Sequence, residues 1–395
     1  VPRVSLAVVV AAALACACAP GAAQDLTVPK KYQALYDRLE RQVADFEQRL
    51  PGDQPGRSVR RAARLTSVGC APPDGAGAPQ PGAVSLELDA LKRVGAQVVV
   101  LEVCYPLLTP AFQDPRPALE NLANLANEVR LRDMALLVDH RVLPAAHPAV
   151  QARRYYDGMT RARYFAERLE EARAVILALQ PDYLTLVSQP EIAPGNFRIT
   201  PGQWRGQLDR VATTLQGELG DVVPPLGAGL DVWGDRAWVE AFAAVPRLAY
   251  VDLRFYPLEA GGARMLDRLL EWPARVRAID ASKRIVLSHA WLSKAAADEP
   301  FRGQPQPAVL AREAFGFWAP LDAKFLRAVA RAARSTDIEL VGVSRPRELF
   351  AYLDFFDPST FRLSPRALDA LAAQRAAGAM QQGQITEAGR AFGGM

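Results

Sequence analysis

AQVVVLEVCY at 96–105, a helical stretch at about 115–132, then MALLVDHRV at 134–142: this alternation decides the fold. Both apolar runs are nearly continuous, as in strands buried on both faces. The same switch repeats outward in each direction. Upstream, an apolar run at 64–68 precedes helical residues 83–95. Downstream, a long helix at about 151–179 carries its buried stripe on Tyr155, Met159, Ala162, Ala166, Leu169, Ala172, Ile176 and Leu179. DYLTLVS (182–188) then precedes a helix at about 201–219, and PLGAGLDVW (225–233) precedes 235–244. LAYVDLRFY (248–256) precedes 263–281, and RIVLSHAWL (284–292) precedes a long insertion and then 321–335. IELVGVS (338–344) precedes 346–355. Strands alternating with helices imply parallel pairing with right-handed crossovers. Eight such units predict an α/β protein folded as a closed (β/α)8 TIM barrel. An open doubly wound sheet would carry a Gly-rich turn after its first strand. Here that strand runs into Gly69-Cys70-Ala71-Pro72-Pro73.

The flanks divide the rest of the chain. Arg3, an apolar run over 4–15 and the small residues Gly21-Ala22-Ala23 read as a secretory signal over 1–23, cleaved before Gln24. Cys16 and Cys18 follow small residues and offer a second export reading, a lipid anchor on one of them. The expected location is periplasmic or extracellular, or membrane-anchored as a lipoprotein. Residues 24–59 hold a linker and an amphipathic N-terminal helix marked by Tyr32, Leu35, Leu39, Val43, Phe46 and Leu50. The barrel is expected over 60–378, and residues 379–395, rich in Gln, Gly and Ala, are expected to be a disordered tail.

Half of the 395 residues are apolar, and the formal net charge is +4. Only six of the 47 basic residues are Lys, and the arginines are scattered without a basic stripe, which argues against nucleic-acid binding. No run after the N-terminal one approaches 18 uninterrupted apolar residues, so no transmembrane span is expected. Cys70 and Cys104 fall just past neighbouring strands and are candidates for a disulfide, with free buried thiols as the alternative. The three histidines, His140, His147 and His289, show no short-spaced ligand motif, so neither a metal nor a cofactor is expected. There is no Gly-x-Ser-x-Gly and no phosphate loop. Ser288 beside His289 is not a triad, because adjacent strand residues point to opposite faces.

In such barrels the site lies at the carboxyl ends of the strands. Standing there are Glu102, Cys104 and Tyr105; Asp139, His140 and Arg141; Gln189 and Glu191; Asp231 and Trp233; Arg254 and Tyr256; His289 and Trp291; Ser344 and Arg345. Aromatic faces cover the apolar side of sugar rings and polar groups bond the hydroxyls, so the expected partner is an oligo- or polysaccharide.

Over roughly 60–357 the chain resembles the large clan of retaining (β/α)8 glycoside hydrolases that includes cellulases and endo-galactanases. LLVDHRVLP (136–144) looks like the clan's third-strand Asp-x-His pattern, and QPDYLTLVSQPE (180–191) like its fourth-strand segment, which normally ends in Asn-Glu-Pro. VDLRFYP (251–257) is similar to its His-x-Tyr-Pro sixth strand, and KRIVLSHAWLSK (283–294) to its seventh, where a Glu precedes an aromatic. FWAPLDAKFL (317–326) is similar to a segment of further relatives. The departures bear on function. The clan's acid/base position falls on Gln189 and its nucleophile on His289, while Arg254 replaces the sixth-strand His and Tyr256 matches.

Two readings follow. In one, the chain is a glycosidase with rearranged groups: Glu191 as acid, Asp231 or Asp139 as base for water at the wider spacing of inverting enzymes, or His289 as base. In the other, it is a catalytically silent carbohydrate-binding relative. The catalytic candidates are therefore Glu191, His289, Gln189 and Asp231. The substrate-binding candidates are Glu102, Asp139, His140, Trp233, Arg254, Tyr256 and Trp291.

Overall fold

The computed structural model describes residues 26–52, 58–68, 70, 81–191, 198–257, 262–299 and 307–395. The segment read as a secretory signal, with Cys16 and Cys18, lies outside them. Eight strands run β1 (Arg60–Arg64), β2 (Val98–Tyr105), β3 (Ala135–Val142), β4 (Tyr183–Thr185), β5 (Leu226–Asp231), β6 (Tyr250–Phe255), β7 (Arg284–Ala290) and β8 (Leu340–Val343). Each pairs in parallel with the next, and β8 pairs with β1 to close the barrel. The helices are α1 (Lys30–Arg49), α2 (Pro81–Arg93), α3 (Arg116–Arg130), α4 (Pro148–Arg153), α5 (Arg161–Leu179) and α6 (Pro201–Leu219). They continue as α7 (Arg236–Ala243), α8 (Gly262–Ile279), α9 (Pro307–Arg312), α10 (Ala319–Ser335), α11 (Pro365–Gln381) and α12 (Glu387–Gly393). No helix among the described residues is long and apolar enough to cross a membrane.

Strand alternation sorts the barrel into layers. Ala62, Val98, Val100, Leu137, Tyr183, Tyr250, Val286 and Leu340 form a dry interior cluster. Above it Thr185 Oγ1 bonds the Tyr250 hydroxyl at 3.0 Å and the Asp252 carboxylate at 3.1 Å. Charged residues take over at the mouth. Beta-branched and leucine residues on the opposite faces pack against the helices in one continuous core.

The helix read over 151–179 is broken between α4 and α5, with Ala162 and Ala166 of its stripe exposed, and the helix read over 346–355 is only a short 3-10 turn at Pro346–Leu349. Four further features differ from the sequence reading. First, β1 lies before the 64–68 run rather than on it. Its buried pair is Ala62 and Ala63, and its arginines hide the apolar signal. Arg60 donates to the Tyr183 hydroxyl at 2.8 Å, Arg61 Nε to the Gly95 carbonyl at 2.6 Å, and Arg64 pairs with Glu102 at 2.8 Å. Second, β4 covers only part of 182–188.

Third, β7 does not alternate cleanly. Its register against β6 slips between Asp252↔Val286 and Arg254↔His289, which marks a bulge. Ser288 donates its amide and hydroxyl to Asp252 at 3.0 and 2.8 Å, and His289 Nε2 lies 3.3 Å from Asp139 Oδ2. Both side chains therefore face the barrel interior, contrary to simple alternation. They still form no triad, because the Ser288 hydroxyl is bound to Asp252. Gly342 on β8 makes room for the bulge: a Cβ there would lie 2.0 Å from the Ser288 carbonyl oxygen.

Fourth, residues 379–395 are ordered. Ser364 caps α11 and Thr386 caps α12, each by accepting a backbone N–H. Ala388 and Phe392 are fully buried, and α12 packs on α10. Gly389 permits that approach, since a Cβ would meet the Leu349 carbonyl at 2.2 Å. The small residues that suggested disorder serve close packing instead.

On the outer wall, α1 buries Leu35, Leu39, Val43 and Phe46. Its Tyr32 stacks on Phe317 and its Tyr36 on Trp318, with ring centroids 5.5 and 5.6 Å apart. Cys70 and Cys104 are joined in a disulfide with Cα atoms 5.6 Å apart, tying the loop after β1 to the end of β2.

Candidate functional site

A cavity of about 400 Å3 opens above the carboxyl ends of the strands. Every strand or the loop after it contributes: Arg64 and Thr66, Glu102, Arg141, Gln189, Trp233, Arg254 and Tyr256, Trp291 and Ser293, and Ser344 and Arg345. Glu313, Arg347, Glu348 and Asp369 close its outer side. Parallel strands entering a barrel at the same level bring these side chains together by construction.

One half of this mouth is a continuous polar chain. Glu102 accepts from Arg64 at 2.8 Å and from Arg141 at 2.6 Å. Arg141 also donates to the Gln189 carbonyl oxygen at 2.9 Å, and the Gln189 amide donates to Asp231 Oδ2 at 2.7 Å. Burial works against the Glu102 charge, but Arg141 and Arg64 outweigh it and hold its pKa near 2. Asp139 lies beneath, fully buried beside His289. Burial again opposes its charge, and Arg254, His289 and Arg141 together pull its pKa below the usual carboxylate range. Burial and the Arg254 charge lower His289 to about 4 despite Asp139, so at neutral pH its ring is uncharged. Burial raises the Asp231 pKa, with Arg254 and Gln189 opposing. Burial and the Asp139 charge push Asp252 up to about 7.

The sequence candidates separate into three groups. Glu102, Gln189, Trp233, Arg254, Tyr256 and Trp291 line the cavity. Asp139, Asp231 and His289 lie under its floor, each at most 2% exposed. His140 and Glu191 are elsewhere. His140 faces the helical shell, where its Nε2 meets Glu171 Oε2 at 2.9 Å. Glu171 in turn accepts from the Leu108 amide and the Thr109 hydroxyl of the loop after β2. Burial and Arg168 lower the His140 pKa despite Glu171. It is a structural link between strand and helix, since it follows inward-facing Asp139 by one residue. Glu191 is exposed at the rim, where its carboxylate lies within 3.0 Å of the place a Cβ on Gly234 would take. Burial of its carboxyl end and the Asp231 charge raise its pKa, but it does not line the cavity.

Several lining residues had no sequence signal. Arg64 gives no signal because it ends β1 where the apolar run at 64–68 begins. Ser293, Glu313, Arg347, Glu348 and Asp369 come from loops and helix ends, where periodicity says nothing. Arg345 pairs with Glu348, and Arg347 with Asp369 at 3.3 Å.

Glu102, Asp139 and His289 offer ligand atoms within 4.8 Å of one another, a spacing a metal ion could bridge. The surroundings do not suit a divalent cation. Glu102 is already shared by two guanidiniums, and Arg254 stands beside Asp139. A cation there would face three positive charges at low dielectric.

No protein-family model matches the chain, and no curated protein matches it in sequence. Solved structures do match in fold. A GH5_18 protein from Streptomyces cattleya, in complex with GlcNAc, superposes with a TM-score of 0.53 at 17% identity, covering 86% of this chain and 79% of that one. PbGH5A, a glycoside hydrolase family 5 enzyme from Prevotella bryantii B14, gives 0.52 at 12% identity, covering 86% and 97%. The exo-beta-1,4-mannosidase Op5Man5 from Opitutaceae bacterium strain TAV5 gives 0.52 at 14%, covering 87% of this chain and 60% of its own length. The chain thus spans about 60% of the length of that mannosidase. At these identities the likeness is one of fold: the chain shares the (β/α)8 barrel of these proteins.

Proposed function

We propose that the chain is an exported carbohydrate-binding barrel, built on a glycoside-hydrolase frame, whose hydrolytic chemistry is silent. One observation carries this reading. Where a retaining hydrolase of this fold would present its acid, Gln189 is fixed from both sides, by Arg141 at 2.9 Å and Asp231 at 2.7 Å. An amide cannot deliver a proton to a leaving group, and losing that assistance removes roughly 10²–10⁴ in rate. The carboxylates that line the cavity offer no substitute. Glu102, Glu313, Glu348 and Asp369 each face an arginine. His289 is uncharged and turned toward Asp139 under the floor. The aromatic walls remain: Trp233 lies against Tyr256 with ring centroids 5.8 Å apart, and Trp291 stands after β7.

One feature favours the hydrolase reading instead, the raised pKa of Glu191 beside the cleft. The test is titration of the chain against an oligosaccharide array, followed by assay of the same samples for released reducing ends. Binding without release is expected. Release that Glu191→Gln abolishes would replace this reading with a rearranged glycosidase.

A further inference from the structure

We infer that the cavity takes a sugar residue bearing a carboxylate, a uronic acid, and that Arg254 receives that carboxylate. The inference rests on the sugar-binding reading and narrows its ligand class. Arg254 lines the cavity at 3% exposure, and its Nε and Nη1 have no hydrogen-bond partner among the described residues. Its closest carboxylate contact, Asp231 Oδ1 to Nε, is 3.7 Å long. A guanidinium taken out of water without a full partner costs free energy, and a ligand that supplies one recovers it.

The neighbouring polar atoms have the same bias. Trp291 Nε1 and the hydroxyls of Ser293 and Ser344 line the cavity at 5% exposure or less and have no partner among the described residues. Across the floor, Arg64 Nε and Arg141 Nε are also unpaired. Guanidinium and indole nitrogens only donate. Glu102, the acceptor on this floor, already serves both Arg64 and Arg141. The unpaired carboxylate oxygens, on Asp139 and Asp231, lie beneath the floor and outside the lining. Along the lining the unpaired nitrogens are donors, four of them on three arginines, and an occupant that pairs with them must bring acceptors. Hydroxyls could fill some of these places. A planar carboxylate matches the guanidinium fork in shape and charge as a hydroxyl does not. Tyr256 and Trp233 beside Arg254 supply the apolar face that a sugar ring requires.

Calorimetric titration of the full chain with matched ligand pairs tests this. Cellotetraose would be compared with its C6-oxidised glucuronic counterpart, and mannotetraose with the mannuronic tetramer. Within a pair the members share linkage and length and differ in the carboxylate. In the pair that binds, the acidic member is expected to bind about tenfold tighter at low salt, the worth of one charge-assisted contact. The gap should narrow as salt rises. Arg254→Gln should bring the acidic-to-neutral affinity ratio toward one. The wild-type comparison stands by itself if that variant fails to fold. Equal or tighter binding of the neutral members would overturn this inference and leave sugar binding intact. Tighter binding of a 6-O-sulfated tetramer than of the uronic one would overturn the carboxylate assignment. Binding of no member of either pair would overturn both readings.

Discussion

The two halves of the barrel mouth are built from similar residues and arranged differently. On the side of β1 to β5, Arg64, Glu102, Arg141, Gln189 and Asp231 bond to one another in an unbroken run, leaving over an Nε on each arginine and one Asp231 oxygen. On the side of β6 to β8, Arg254, Trp291, Ser293 and Ser344 leave donors unpaired. The difference separates two uses of polarity. Groups that satisfy each other hold a shape, whereas groups left unsatisfied are held ready for something else. Subtracting a group should therefore cost stability in the first half and ligand affinity in the second.

The largest expected effect lies in the closed half. Glu102→Gln leaves Arg64 and Arg141 without their shared charge and should destabilise the fold by about 3 kcal/mol, toward the low end for a broken buried pair because Arg64 reaches solvent. Chemical denaturation measures it, and a loss below about 1 kcal/mol would place these groups in water rather than in a network. Gln189→Leu strands Arg141 on one side and Asp231 on the other, with an expected loss of about 2 kcal/mol. In the open half, Ser344→Ala removes an unpaired hydroxyl and almost no volume. Stability should stay within about 0.5 kcal/mol, while oligosaccharide affinity falls about fivefold by the loss of roughly one hydrogen bond. A stability loss as large as that of Gln189→Leu would erase the distinction between the halves.

The smallest effect is a missing titration. With three histidines in the chain, ring signals can be assigned by substitution. His289 should remain uncharged from pH 7 down to about 4, because burial and Arg254 disfavour its charge. The sign for stability follows. The unfolded ring takes a proton near 6.5 and the folded ring only near 4, so His289 contributes stability that is lost as pH falls through that window. Asp252, raised to about 7, works the other way: its contribution declines as pH rises from about 4 to 7. In His289→Asn the loss of stability between pH 6.5 and 4 should be smaller than in the wild type, while the opposing contribution of Asp252 remains.

The barrel was legible because eight apolar runs repeat at helix-separated intervals, a pattern few other folds produce. β1 was the exception, since two alanines between arginines carry little apolar signal. The site was legible where alternation holds. Glu102, Arg254 and Tyr256 could be placed on the mouth from strand position alone. The same rule, applied strictly, puts His140 on the outer face one residue after Asp139, and it is there that His140 meets Glu171. Alternation fails at Ser288 and His289 because a bulge adds a residue that no side-chain pattern announces. The Gly342 opposite it is the one trace left in the sequence. Glu191 looked like a rescuing acid by its distance along the chain from Gln189. The turn after β4 carries it out to the rim instead.

The most direct test is a crystal structure of the chain with a bound oligosaccharide. A sugar ring is expected among Trp233, Tyr256 and Trp291, with acceptor atoms on Arg254 and Ser344 and the Gln189 amide still bonded to Arg141 and Asp231. A ring that displaces Gln189 and sets its glycosidic oxygen within about 3 Å of the Glu191 carboxylate, the reach of a general acid, would contradict a silent site.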